Sequence, residues 1–254
     1  MTAAPVHFPS HDVYGAKVTP MTADEMLDLL DSHIAARRPC VVASQNMHGL
    51  RVRIADESMR RLHDLPQTYV HIDGLPLVGL CRLRGVRASR THRVTLVDFV
   101  WPLLTLAERR GWKVYYLGAD ERVLAAGTAR IRTRLPMLDL RAHHGYLRDE
   151  AASSAVTSDI AAFAPDLILV GMGMGRQERW ILEHLDAIAP ASVMTVGACM
   201  EYIAGVVGTP PRWMGRAGLE WLYRLAENPG RFWRRYLIEP WVVAAYILRQ
   251  LALR

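Results

Sequence analysis

A glycine-rich stretch between residues 165 and 180 has the residue types of a phosphate-binding loop. An apolar run leads into glycines at positions 171, 173 and 175, and a helical pattern begins directly after them. This order predicts a buried strand, a tight turn and a helix start. Such a turn lets the backbone approach a ligand, and the first turn of a helix offers N–H groups and a partial positive charge to an anion. The candidate ligand contacts in this stretch are Gly171, Gly173, Arg176, Gln177 and Glu178.

A carboxylate at the end of an earlier predicted strand is the candidate for proton transfer. Residues 68–72 predict a strand, and Asp73-Gly74 ends it. A carboxylate in that position can act as a general base. It can equally cap the helix that follows, and the spacing leaves both roles open. The remaining candidates also follow predicted strands, and they are Ser44, Asn46, Gly118 and Gly197.

The spacing of these residues argues against several common chemistries. The dinucleotide fingerprint G-x-G-x-x-G fails because its sixth position is Arg176, and no acidic residue ends the next strand. The chain has no C-x-x-C pair and no D-x-D pair, and His143-His144 lack partners at ligand spacing. No G-x-S-x-G elbow supports a hydrolytic serine. We therefore predict no cofactor and no metal, with arginines and backbone amides neutralising any bound diphosphate.

The elements that must position these residues alternate between strand and helix about six times. This rhythm predicts an α/β fold with a mostly parallel, Rossmann-like sheet and helices on both faces. In such sheets, ligands bind beyond the carboxyl ends of the strands. All of the candidates named above fall at those ends, so the sequence predicts that they meet at one edge of the sheet.

The alternation of predicted strands and helices ends after Gly208, at the sequence Thr-Pro-Pro. We predict an α/β core over residues 1–208 and an α-helical appendage over 209–254, with helices at roughly 217–227 and 230–251. Residues 212–254 hold eight arginines, three glutamates and four of the seven tryptophans. Arginine together with tryptophan favours an anionic partner with an apolar boundary, either a membrane surface or nucleic acid. A pair of helices that merely covers the sheet is the alternative interpretation.

The composition of the chain indicates the cellular compartment in which the protein functions. Its three cysteines are scattered, which indicates a reducing compartment. No run approaches the roughly 20 apolar residues of a membrane span, and the N-terminus lacks the pattern of a signal peptide. The expected location is the cytoplasm. A homo-oligomer is compatible with the sequence.

The order of the motifs along the chain adds a resemblance. The matching segments are Ser44-Gln-Asn46, Asp73-Gly74, Arg93-Val-Thr-Leu-Val-Asp98, Leu117-Gly-Ala119, Gly171-Met-Gly-Met-Gly-Arg-Gln-Glu-Arg-Trp180, Ala204-Gly205, Pro211-Arg-Trp213, Gly218-Leu-Glu-Trp221, Arg224-Leu225 and Pro229-Gly-Arg231. In this order they resemble the WecG/TagA/CpsF glycosyltransferases (family 26) over about residues 12 to 240. The pairing of Gln-Glu-x-Trp with Gly-Leu-Glu-Trp is the most specific part of the match.

The resemblance implies a function. Such enzymes transfer a sugar with inversion, and without a D-x-D metal site, from a UDP-sugar to a polyprenyl-diphosphate-linked saccharide. They act as peripheral proteins on the inner face of the bacterial membrane, in the synthesis of exopolysaccharide and other surface polysaccharides. The resemblance places the family's base on Asp73, its strand-end hydroxyl on Ser44 and a sugar-nucleotide contact on Gln177. An anionic membrane surface is then the expected partner of the C-terminal segment, and nucleic acid is not.

The chain departs from the family pattern at several positions, and these differences leave one charge of the site and the donor sugar unassigned. Thr209 stands where the family has an arginine, so we expect Arg212 or Arg216 to supply that charge. Gly175-Arg176 replaces the family's Pro-Lys. The donor can be of the N-acetylmannosamine, mannosaminuronate or glucose type. The alternative function is that of a nucleotide-binding regulatory protein, or a nucleic-acid-binding α/β protein, without transferase activity.

Overall fold

A computed structural model describes residues 5–252, apart from the side chains of residues 212, 216, 217 and 231. The strands are β1 (His11–Val13), β2 (Ala16–Val18), β3 (Val41–Gln45), β4 (Thr68–Ile72), β5 (Lys113–Gly118), β6 (Asp139–His143), β7 (Leu167–Gly171) and β8 (Ser192–Thr195). The helices of the α/β part are α1 (Ala23–Ala35), α2 (Met47–Ala55), α3 (Glu57–Asp64), α4 (Leu75–Leu83), α5 (Leu96–Arg110), α6 (Glu121–Arg134), α7 (Glu150–Phe163), α8 (Arg176–His184) and α9 (Cys199–Ala204). A 3-10 turn, Arg90–His92, precedes α5.

Six of the strands form one parallel sheet in the order β4-β3-β8-β7-β5-β6. Every residue of β3, β4, β7 and β8 is buried, as expected where helices cover both faces of a parallel sheet. The predicted fold class is confirmed. Because the strands are parallel, their carboxyl ends all lie at one edge of the sheet, and each loop at that edge leads into a helix.

Alternating residues of each strand supply two core layers. One layer contains Val42, Tyr116 and Leu169, which pack with α1, α5, α6 and α9. The other contains Tyr115 and Ile168, which pack with α3, α7 and α8. The period of two along each strand sends neighbouring residues to opposite faces, so the two layers fix the register of the sheet.

Two local features differ from the prediction made for the first half of the chain. The sequence between β3 and β4 predicts one helical stretch up to about Leu65, but the structure has two helices there, because Asp56 is extended and its side chain accepts a hydrogen bond from the Met59 amide to start α3. The antiparallel hairpin of β1 and β2 was not predicted. Its three-residue strands are too short to show an alternating pattern, and it turns at Tyr14 and Gly15, both with positive φ.

The C-terminal segment, residues 209–252, is helical but more finely divided than predicted. It contains α10 (Arg212–Ala217), α11 (Glu220–Glu227), α12 (Pro229–Trp233), a π-helical turn (Arg234–Ile238) and α13 (Glu239–Ala252). Val243 of α13 is buried in a third cluster with Val13 of the hairpin and Leu50 of α2. The boundary at residue 208 between core and appendage stays a prediction.

Within the described chain, no helix is both long enough and apolar enough to cross a bilayer.

Candidate active site

Two adjoining cavities lie beyond the carboxyl ends of the strands. The larger, about 560 Å³, borders the loop between β7 and α8, and we call it the glycine-loop lobe. The smaller, about 330 Å³, borders α4, α11 and the π-helical turn, and we call it the C-terminal lobe. The two lobes share the lining residues Asn46, His48, Asp73, Thr95, Arg224 and Arg235. Asp73 therefore stands where the two cavities meet.

Asp73 is held at this junction by contacts with the neighbouring strand. Its backbone amide donates to the carbonyl of Gln45 at 2.8 Å, which extends the pairing of β3 and β4 by one residue. The Asn46 side-chain amide donates to Asp73 Oδ2 at 3.2 Å. The alternative role of capping is not seen, because Gly74 is the N-cap residue of α4 and no side-chain cap hydrogen bond is formed there. The carboxylate is left to face the lobes.

Burial and neighbouring groups shift the pKa of Asp73 in opposite directions. Burial raises the pKa of its carboxyl, whereas Arg224, the hydrogen bond from Asn46, Arg93 and Arg235 lower it, and the net shift is upward. A raised pKa makes the ionised carboxylate a stronger base. The nearby cations keep the ionised form accessible, so the arrangement suits proton abstraction.

The glycine loop is shaped by its own helix. Gly173 and Gly175 have φ values of 85° and 86°, a region that glycine adopts without steric cost. Glu178, fully buried in the first turn of α8, accepts a hydrogen bond from the Gly175 amide. The motif predicts that the backbone amides of this loop bind a phosphate. The Glu178 carboxylate already occupies the Gly175 amide.

Gln177 links this loop to the one after β8. Its side chain is fully buried, its Nε2 donates to Glu178 Oε1 at 2.8 Å, and its Oε1 accepts from the Gly197 amide at 3.3 Å. Both ends of the amide are therefore engaged within the protein. Gln177 and Gly197 line the glycine-loop lobe, and their geometry is that of a brace between two loops.

The other predicted residues divide between the cavity and its support. Ser44, Gly173 and the exposed Arg176 line the glycine-loop lobe, and Gly74 lines the C-terminal lobe. Gly118 pairs with Gly171 across β5 and β7. A Cβ on Gly118 would lie 2.3 Å from the Gly171 carbonyl oxygen, so this pair permits close strand packing behind the loop.

Sequence reasoning did not select the arginines that approach Asp73. Arg224 of α11 and Arg235 of the π-helical turn line both lobes, and Arg93 lines the C-terminal lobe, where it pairs with Glu220. Arg93 and Arg224 lie within the quoted motifs, which is the signal that could have found them. The side chains of the predicted Arg212 and Arg216 lie outside the described part of the structure.

Among the described residues, no three His, Cys, Asp or Glu side chains come together as a metal site would require. Independence from metals stays a prediction.

Comparison with known proteins identifies the class of protein that this fold and cavity define. A sequence profile of the Glycosyl transferase WecG/TagA/CpsF family matches residues 11–254. The chain belongs to this family, and the resemblance drawn from the motifs is confirmed.

Individual relatives come from Staphylococcus aureus. The chain is 30% identical over 168 residues to the N-acetylglucosaminyldiphosphoundecaprenol N-acetyl-beta-D-mannosaminyltransferase of strain MW2, which covers 66% of this chain and 63% of that protein. It is also 30% identical over 157 residues to the protein of the same name in strain NCTC 8325 / PS 47, with coverage of 62% and 60%. The aligned part therefore spans less than two thirds of each of these relatives.

Proposed function

We propose that this protein is an inverting glycosyltransferase that moves a sugar from a UDP-sugar to a polyprenyl-diphosphate-linked saccharide. The observation that carries the proposal is the position of Asp73 at the junction of the two lobes, beside Arg224 and Arg235. A transferase must bring two substrates together at one base, and a bipartite cavity with a carboxylate at its junction meets that need. The names and family of the relatives support the same class of reaction.

The donor is assigned to the glycine-loop lobe. This lobe is the larger of the two, and Ser44, Asn46 and the exposed Arg176 border it together with Arg224 and Arg235. Arginine can bind a diphosphate through paired, charge-assisted hydrogen bonds. Gln177 also borders this lobe; its bonds to Glu178 and Gly197 brace the loop, and its remaining N–H and lone pair can contact the nucleotide.

The acceptor is assigned to the C-terminal lobe. Its lining combines Arg93 and Arg235 with apolar side chains that suit a lipid-linked substrate. These apolar residues are Met47, Leu75, Pro76, Trp221, Leu237 and Pro240. An acceptor held here presents its sugar hydroxyl to Asp73 at the junction.

The reaction is then a single displacement. The Asp73 carboxylate takes the proton from the acceptor hydroxyl, whose oxygen attacks the anomeric carbon from the face opposite UDP. The bond from that carbon to the diphosphate oxygen breaks, and the departing charge is neutralised by Arg176, Arg224 and Arg235. Positioning both substrates beside one base supplies the entropic part of the catalysis.

The C-terminal segment is proposed to rest on the inner face of an anionic membrane. Large apolar side chains on this segment are exposed, including Trp213 at 61%, Trp241 at 76% and Leu248 at 66%. Apolar side chains combined with an excess of arginine favour an anionic bilayer surface. Synthesis of a cell-surface polysaccharide, such as an exopolysaccharide, is the context that we propose.

The test is a donor screen with a short-chain polyprenyl-diphosphate N-acetylglucosamine as acceptor, in which product mass and UDP release are measured. UDP-sugars of the N-acetylmannosamine, mannosaminuronate and glucose types form the panel. We expect one of them to give product with an inverted anomeric centre. UDP binding without transfer from any donor would instead favour the nucleotide-binding regulatory protein.

The base is tested by Asp73→Asn. We expect turnover to fall by about 100- to 10,000-fold with UDP affinity retained, because the amide cannot accept the proton. Asp186→Asn, in an exposed loop, is the matched control and should turn over as the parent does. More than about a tenth of parental turnover in Asp73→Asn would show that another group is the base.

A further inference from the structure

A histidine at the junction of the two lobes has no role in the reaction described so far. His48 is the second residue of α2, and its side chain lines both lobes. It follows Asn46 by two residues, and Asn46 caps α2 through Gly49 while contacting Asp73. The start of α2 thus carries His48 to the place where the two substrates must meet.

The imidazole ring of His48 is oriented by a carboxylate from the other end of the chain. Nδ1 lies 2.7 Å from Glu239 Oε2, at the start of α13, and both side chains are half-buried. An ionised carboxylate only accepts hydrogen bonds, so Nδ1 carries a hydrogen. Glu239 is not among the described residues that line either lobe. Because Glu239 engages Nδ1, Nε2 is the ring nitrogen that we assign to a ligand at the junction.

Charged groups surround this ring on several sides. Burial lowers the pKa of His48, Arg235 of the π-helical turn and Arg51 of α2 lower it further, and Glu239 raises it, with a net downward shift. Asp73 and Arg224 face the same junction. The lowered pKa favours the neutral imidazole, and an anion bound beside the ring would favour the protonated form.

We propose that His48 is a further substrate-contacting residue, whose Nε2 binds a diphosphate oxygen at the junction of the lobes and takes up a proton as the diphosphate binds. The inference rests on the proposed transferase function. The diphosphate belongs either to the UDP part of the donor or to the lipid-linked acceptor, since His48 borders both lobes. The pair with Glu239 holds the ring so that Nε2 meets this oxygen.

The experiment compares the parent protein with His48→Gln and Glu239→Gln. UDP binding is measured by calorimetry at pH 7 in two buffers of different ionisation enthalpy, which gives both the affinity and the number of protons taken up. The KM for the lipid-linked acceptor is measured in parallel. Protonation of UDP itself is common to all variants, so the difference between parent and His48→Gln isolates the imidazole. His144→Gln, at a half-buried histidine beside Glu121, is the matched control.

If the diphosphate is that of UDP, His48→Gln should bind UDP about ten- to a hundredfold more weakly, as expected for a lost charge-assisted hydrogen bond, and should take up fewer protons. If it is that of the acceptor, the same loss should appear in KM alone, and it should grow less pronounced as the pH rises and the parent imidazole deprotonates. In the first case Glu239→Gln should also lower proton uptake on UDP binding, because it removes the carboxylate that raises the pKa of His48. A purely structural role would leave the proton count for UDP unchanged and would give a change in acceptor KM that does not vary with pH.

The inference is overturned if His48→Gln has the same UDP affinity, proton uptake and acceptor KM as the parent protein. This holds even if the parent protein transfers sugar, so the result is distinct from a failure of the proposed function. Loss of turnover with both binding measurements unchanged would overturn the inference as well. Proton uptake that depends on His48, in a protein that transfers no sugar, would instead retain the diphosphate site and reject the transferase.

Discussion

In the glycine loop, on the sheet side of the cavity, the buried side chain of Gln177 forms hydrogen bonds with residues 1 and 20 positions away, Glu178 and Gly197. On the C-terminal side, half-buried charged side chains join residues 127 and 191 positions apart, in the pairs of Arg93 with Glu220 and His48 with Glu239. The glycine loop is held by contacts close along the chain, and the side chains of Gln177 and Glu178 are fully buried. The C-terminal side depends on charge at a partly wet surface, so pH, salt and a membrane can act on it.

The contrast is tested most strongly by Glu178→Ala. This change leaves the Gly175 amide and the Gln177 side chain without their acceptor in a buried place, so we expect a loss of about 2–4 kcal/mol of unfolding free energy. Urea denaturation measures it. The control on the other side is Glu227→Ala, an exposed residue that accepts from the Tyr223 hydroxyl, where a change within about 0.5 kcal/mol is expected. Equal losses of unfolding free energy in Glu178→Ala and Glu227→Ala would contradict the proposed difference between the buried glycine loop and the C-terminal side.

The next effect concerns the exposed face of the C-terminal segment. Replacing Trp241 and Leu248 together by serine should reduce sedimentation with anionic liposomes by about tenfold or more, because their apolar surface no longer leaves water on binding. Met137→Ser is the control, since Met137 is 82% exposed between α6 and β6. Undiminished sedimentation of the double variant would reject the membrane role of this face. Point substitutions are preferred to removal of α13, because Val243 completes a buried cluster.

The smallest effect is a shift in pH dependence. The proposed base works as the carboxylate, so turnover is present above the pKa of Asp73 and is lost as the pH falls through it. Arg235 lowers this pKa, and Arg235→Gln should therefore move the acidic limb of the kcat profile to higher pH. Arg234→Gln, at the exposed neighbour that stacks on Trp233, should leave the limb in place. A shift to lower pH in Arg235→Gln would contradict the assignment of the base.

The same contrast explains what the sequence could predict. Runs such as residues 167–171 are apolar because both faces of a parallel strand are buried, so the strands and the edge that gathers Ser44, Asp73 and Gly197 were predictable. The motif predicts Glu178 as a ligand contact, but it does not predict the hydrogen bond that the Glu178 carboxylate accepts from the Gly175 amide. That contact depends on the positive φ of two glycines, which a sequence pattern does not give.

The contacts on the C-terminal side could not be predicted from the sequence, because they join positions that are far apart along the chain. Nothing in the sequence around His48 points to Glu239, and the π-helical turn that carries Arg235 interrupts an otherwise continuous helical pattern. Such turns are rare and occur frequently at functional sites. The excess of arginine in residues 212–254 indicated an anionic partner, but composition alone did not tell which of these arginines approach Asp73.

The side chain of Asn46 has a consequence for the whole site. Its Oδ1 accepts from the Gly49 amide at 2.9 Å and its Nδ2 donates to Asp73 at 3.2 Å, so the two ends of the amide are not interchangeable. Aspartate would retain the first bond and place a like charge against the base, and glutamine is longer by one methylene group. The Asn46 amide thus links the start of α2, which carries His48, to the ionisation of Asp73 in another loop.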